Sequence, residues 1–126
     1  MSKKANIHII DETGFSYICS SILNERGYRS ELCTRCDHTL TQRVIGSASL
    51  LIASYPYGKS FLEKFRGLAL PIIILTDHVS KELIEILEEL ENSYCMVKPI
   101  DYNRLALLVE NIVQNDALHL GGYEIV

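Results

Sequence analysis

The chain has 126 residues, 48% of them hydrophobic and 22% charged, with a formal net charge of −4. That is the size and balance of one compact domain with a single core. The acidic balance counts against a nucleic-acid backbone as the main partner, apolar runs such as Leu70 to Leu75 are far too short to span a bilayer, and Met1-Ser2-Lys3-Lys4 has no long apolar stretch behind it, so no signal peptide is read and a cytoplasmic location is expected.

Strand and helix signals alternate along the chain. Ile7, Ile9 and Ile10 mark a first buried strand, and His8 within it reads as a satisfied core or edge residue. Gly14 to Arg26 reads as a helix, with Phe15, Ile18, Ile22 and Leu23 at helical spacing and Gly27 as its stop. Tyr28 to Cys33 is a second strand. Asp37 caps a second helix running to about Ile45, ended by Gly46. Ser49 to Ser54 is a third strand, Lys59 to Arg66 a short helix, and Leu70 to Thr76 a fourth strand. Ser80 caps a helix over Lys81 to Glu91, with Leu83, Ile84, Leu87 and Leu90 on one face and Glu82, Glu85, Glu88 and Glu89 largely on the other. Tyr94 to Val97 is a fifth strand. Asp101 caps the last helix, whose apolar face holds Leu105, Leu108, Ile112 and Val113.

Strands one, three and four are nearly continuous apolar runs, as expected of parallel strands covered on both faces. Alternating strands and helices imply right-handed crossovers and a parallel sheet. The expected fold is α/β and flavodoxin-like: a doubly wound five-stranded parallel sheet, order 2-1-3-4-5, with helices on both faces. Residues 1–126 read as a single domain, with a core over about 5–114 and a tail or linker at 115–126 that contains Gly121-Gly122. In such folds the site lies at the carboxyl ends of the strands, near the point where strand order reverses. Asp11, Glu12, Ser54, Thr76 and Lys98 all fall on that side.

Four cysteines fit a reducing compartment. Cys33-x-x-Cys36 with His38 nearby is half of a metal or redox motif, and no second pair completes it. It reads as reduced cysteines at a strand end and loop. The histidines His8, His38, His78 and His119 show no metal-ligand spacing.

Asp11-Glu12 after the first strand, Thr76 after the fourth and Lys98-Pro99 after the fifth resemble, in that order, the receiver (CheY-like) domain of bacterial two-component response regulators. The resemblance spans about residues 5 to 114. The spacings from Asp11 to Ser54 and from Thr76 to Lys98 are close to the family's. It implies a phosphorelay signalling module in which two acidic residues and a third-strand aspartate hold magnesium. That aspartate takes a phosphoryl group, while the threonine and lysine bind its oxygens.

The chain departs from that pattern at several points. Ser54 stands at the acceptor aspartate's position, and a serine hydroxyl is a poor metal ligand and a weak nucleophile without a base. Glu12 replaces the more usual second aspartate, and Thr13 follows it. Asp77 stands where a small residue is usual. Cys95 occupies the switch-aromatic position, with Tyr94 one place off and so on the opposite strand face. The stretch from Ser54 to Thr76 is short. The resemblance with these departures implies a pseudo-receiver that is not an enzyme and acts by protein–protein contact without aspartyl phosphorylation. No cofactor is expected beyond weak or lost Mg2+ at Asp11 and Glu12. The implied partners are proteins, a sensor kinase or an output domain. A homodimer through the fourth helix, fifth strand and fifth helix is a further expectation. Neither direct nucleic-acid binding nor a membrane role is expected.

Two other readings stand beside this one. The domain still takes phosphate at Asp77, Asp11 or Ser54, or it is a small-molecule or redox module on a flavodoxin-like fold. Against the second, Asp11-Glu12-Thr13 would repel phosphate where such binders place a Gly-rich or Ser/Thr-rich loop.

Overall fold

The computed structural model describes residues 5–33, 42, 46–65, 69–90, 92–114 and 122–126. In chain order the elements are β1 (Asn6–Ile10), α1 (Thr13–Glu25), β2 (Arg29–Leu32), β3 (Leu50–Tyr55), α2 (Lys59–Leu62) with a 3-10 turn at Glu63–Phe65, β4 (Ile72–Thr76), α3 (Lys81–Glu89), β5 (Ser93–Val97), α4 (Tyr102–Gln114) and β6 (Tyr123–Ile125). All strand pairs are parallel and the order is β2-β1-β3-β4-β5-β6. The expected α/β doubly wound sheet is present, with one strand more than expected.

Alternation along the strands explains why β3 and β4 are apolar up to their carboxyl ends. Side chains two apart share a face, so successive residues feed two different cores. Ile7, Ile9, Leu50, Ile52, Ile73 and Leu75 pack with Cys19 and Leu23 of α1 and Leu105, Val109 and Ile112 of α4. Ile10, Leu51, Ala53, Ile72 and Ile74 pack on the other side with Phe61, Phe65, Leu83 and Leu87. The Phe61 and Phe65 rings stack there with centroids 4.9 Å apart, adding to the area term that drives burial.

Local signals set the helix ends. Gly27 has φ +92, a left-handed conformation that ends α1 with Gly27 N–H donating to Asn24 O. Ser80 Oγ accepts from Leu83 N at 3.1 Å, capping α3. Asp101 Oδ1 accepts from the amides of Asn103 (3.0 Å) and Arg104 (3.2 Å), capping α4. The acidic face of α3 is exposed as expected, but Ile86 rather than Ile84 joins Leu83 and Leu87 inside. In α4, Val109 is buried where Leu108 was expected, and Leu108 packs at the margin. The helix expected over Lys59 to Arg66 is shorter, α2 tightening into the 3-10 turn.

Gln42, Gly46 and Ser47 have helical backbone, so helical structure reaches past the expected stop at Gly46. The remaining expected second-helix residues, with Asp37, Cys36 and His38, lie outside the described residues. So does His119. In the expected tail, β6 adds to the sheet with Tyr94 opposite Glu124 and Cys95 opposite Ile125, and Val126 N donates to Cys95 O at 2.8 Å. No helix among the described residues is long and apolar enough to cross a membrane.

Candidate functional site

The carboxyl ends of β1, β3, β4 and β5 bring the expected residues to one end of the sheet. Asp11 follows β1 and is buried at 4% exposure. Its Oδ1 accepts from Glu12 N at 2.7 Å and lies 3.7 Å from Lys98 Nζ. Its carbonyl accepts from Ser16 Oγ at 2.9 Å, tying the loop to α1. Glu12 is the residue before α1 and points its exposed side chain away from any cap bond. The two acidic positions therefore differ: one carboxylate is inside and paired, the other is in solvent.

Lys98 follows β5 and its amide donates to Thr76 O at 2.7 Å. Its ammonium sits 4.6 Å above the Phe15 ring centre, so a half-exposed aromatic on α1 and the Asp11 carboxylate share one cation. The sequence marks Phe15 only by its helical spacing with Ile18, Ile22 and Leu23. Its contact with Lys98 is tertiary and has no signal in the local pattern. The Lys98-Pro99 and Tyr55-Pro56 peptides are cis.

Ser54, on the last turn of the β3 pleat, is buried at 1% exposure. Its Oγ has no hydrogen-bond partner. Ser54 has the strand parity of Leu50 and Ile52 and so shares their side of the sheet. Thr76 registers with Tyr55, not with Ser54, and its Oγ1 donates to His78 O at 2.9 Å. Its hydroxyl proton is thus used in the local turn. Asp77 follows in that turn and is exposed.

Gly58 is more than a turn former. Its N–H donates to Ser54 O at 2.8 Å, and an added Cβ would lie 3.0 Å from that oxygen and 3.3 Å from Ile10 Cγ2. A residue with a Cβ would force the end of β3 and the Ile10 side chain to give way here, so glycine lets the loop close without that shift.

Tyr55, next to Ser54, donates its hydroxyl to Glu82 Oε1 on α3. Lys59 Nζ reaches the other oxygen of Glu82 at 2.8 Å. Tyr55 and Glu82 link the end of β3 to α3, and sequence reasoning did not single them out. Cys95 is fully buried in one core and Tyr94 is buried in the other, so the two sit on opposite faces as expected.

A hard divalent cation needs several oxygen ligands. Asp11 Oδ1 already serves Glu12 N and Lys98, Ser54 offers a neutral hydroxyl, and Glu12 stands in solvent. Among the described residues no group of three or more His, Cys, Asp or Glu side chains is placed to hold a metal. These side chains do not fit a magnesium site as arranged.

Comparison with known proteins follows the geometry. No family model and no curated protein matches the chain. Solved structures do. The chain is similar to a two-component response regulator from Clostridium difficile, with TM-score 0.76 and 19% identity over 91% of this chain and 100% of that one. It is similar to a CheY-like response regulator receiver domain protein from Methanospirillum hungatei, with TM-score 0.71 and 19% identity over 90% and 96%. It is also similar to the chemotaxis protein CheY4 of Vibrio cholerae, with TM-score 0.72 and 18% identity over 87% and 99%. At these identities the likeness establishes the fold: this chain has the architecture seen in response regulator receivers.

Proposed function

We propose that the chain is a receiver-like signalling module that acts through protein contact and without aspartyl phosphorylation. The observation that carries this reading is Ser54, the residue that the resemblance sets at the acceptor position, which is buried with a hydroxyl that makes no hydrogen bond. Its neighbours support the same reading. Lys98 is held by Asp11 and Phe15, and the Thr76 hydroxyl is spent on His78 O. Phosphoryl transfer needs nucleophile and cation arranged together, and here the nucleophile position holds a neutral hydroxyl while the Lys98 cation is engaged by Asp11 and Phe15. On this reading the domain is no enzyme, needs no cofactor and binds a protein, a sensor kinase or an output domain.

The partner surface on this reading is α3, β5 and α4, the surface through which a homodimer would also form. The edge of β5 is already paired with β6, so a partner meets the β6 edge together with the acidic face of α3. The test is incubation with acetyl phosphate and magnesium, followed by intact-mass measurement beside a receiver that has its aspartate. The expected result is an unchanged mass here and a phosphoryl adduct in the control. A stable adduct on this chain, mapped to Asp77, Asp11 or Ser54, would sink the proposal.

A further inference from the structure

The sheet order ends on β6, which pairs with β5 on one side only. Gly122 O accepts from Ser93 N, and Val126 N donates to Cys95 O at 2.8 Å, so both groups turn toward β5. The amide and carbonyl of one strand residue point to the same side, and successive residues alternate. Glu124 is therefore turned toward β5, and the backbone groups of Tyr123 and Ile125 face the outer edge. An edge that presents amides and carbonyls in line is a template for one more strand. Ile125 is 51% exposed and Glu124 beside it is exposed too.

The side chains on this edge alternate as well. Tyr123 packs on the core that holds Leu83 and Leu87 of α3, and Ile125 has the same parity. Glu124 takes the opposite face, in register with Tyr94. The flank is acidic. Glu85 and Glu88 are exposed on α3, where Lys81 at the first position is the only basic residue. Glu82 is taken by Lys59 and Tyr55, whereas Glu85, Glu88 and Glu124 make no ion pair among the described residues. A second copy of this chain fits such an edge poorly. Two-fold antiparallel pairing that uses the outward groups of both Tyr123 and Ile125 sets Glu124 against its own counterpart, where like charges repel.

We propose that the β6 edge takes an extended segment of a partner protein as an added strand, a segment in which apolar and basic residues alternate. The proposal rests on the reading of this domain as a protein-contact module and names how that contact is made. Backbone bonds to Tyr123 and Ile125 hold the segment. Its apolar side chains lie on the Tyr123 and Ile125 face, and its Lys or Arg side chains lie on the Glu124 face. Glu85 and Glu88 add a negative field that steers a basic segment to the edge.

The experiment uses the full chain, isotope-labelled for amide NMR. The probes are two capped peptides of about eight residues, one alternating valine and lysine, the other valine and glutamate. The lysine peptide is expected to bind at least about tenfold more tightly and to slow hydrogen exchange at the Tyr123 and Ile125 amides. Ile125→Pro removes one outward amide and is expected to lower the affinity about tenfold. Glu124→Lys leaves the backbone groups in place and is expected to abolish or reverse the preference between the peptides. Equal affinity for the two peptides overturns the proposal, as does binding that leaves those two amides unprotected, or a preference that survives Glu124→Lys. A concentration-dependent dimer in sedimentation, lost in Ile125→Pro, also overturns it, because a second copy then fills the edge. No binding of the lysine peptide rejects the edge alone; the acetyl phosphate mass measurement tests the underlying reading separately.

Discussion

Asp11 and Lys98 show how one buried charge organises the strand-end site. A carboxylate at 4% exposure is stable there because Lys98 and the Glu12 amide face it. Removing the cation leaves the charge buried. Lys98→Met is therefore expected to lower unfolding stability by about 3 kcal/mol, and Lys98→Met with Asp11→Asn to recover most of the loss. Urea denaturation of the two variants checks this; equal stability of Lys98→Met and the parent would show that the pair contributes nothing. The hydroxyl of Ser54 is the opposite case. It has no partner, so its role is one of position. The residue types at this site were legible in the sequence, because Asp11, Ser54, Thr76 and Lys98 follow recognisable strands. The contact of Phe15 with Lys98 was not, because it forms only across the fold, and neither was the link from neighbouring Tyr55 to Glu82.

Helix boundaries are set by single polar atoms. Ser80 Oγ satisfies the Leu83 amide of α3 and Asp101 satisfies two amides of α4. Ser80→Ala and Asp101→Ala are each expected to cost about 1 kcal/mol, read as a lower thermal midpoint with an unchanged far-ultraviolet spectrum. An unchanged midpoint would mean that water replaces the cap at no cost. Both caps were readable from the residue just before an apolar helical pattern. The strand β6 was not. Its three residues expose Glu124 and Ile125 and bury little, so they carry no alternation strong enough to announce a strand. Backbone pairing to β5 makes it one.

The whole molecule responds to alkali through its buried thiols and phenols. Burial, then Asp11, raises the Cys19 thiol from 9.0 to about 12. Burial likewise raises Cys95, Tyr28, Tyr94 and Tyr102. Each group keeps its proton longer in the native state than in the unfolded chain. The unfolded chain therefore binds fewer protons above pH 9, and stability, fully present below that pH, falls as pH rises towards 12. Cys19 alone contributes a slope of about 1.4 kcal/mol per pH unit in that window. Urea midpoints are expected to drop between pH 8.5 and pH 10.5, about, and to drop less steeply in Cys19→Ala. A parallel decline in both proteins would remove Cys19 as the cause.

The sequence by itself determined the layered α/β architecture, the parallel strand order through β5 and the location of the strand-end residues. Those follow from periodicity, caps and crossover rules, which act locally or on neighbouring elements. Tertiary structure decided what the residues do to one another. It set Lys98 between Asp11 and Phe15, tied Tyr55 to Glu82, turned Thr76 to its own turn and placed His8 between Glu31 and Cys33. Those contacts depend on strand register and on which face each side chain takes. Register is a property of the assembled sheet and no single segment carries it.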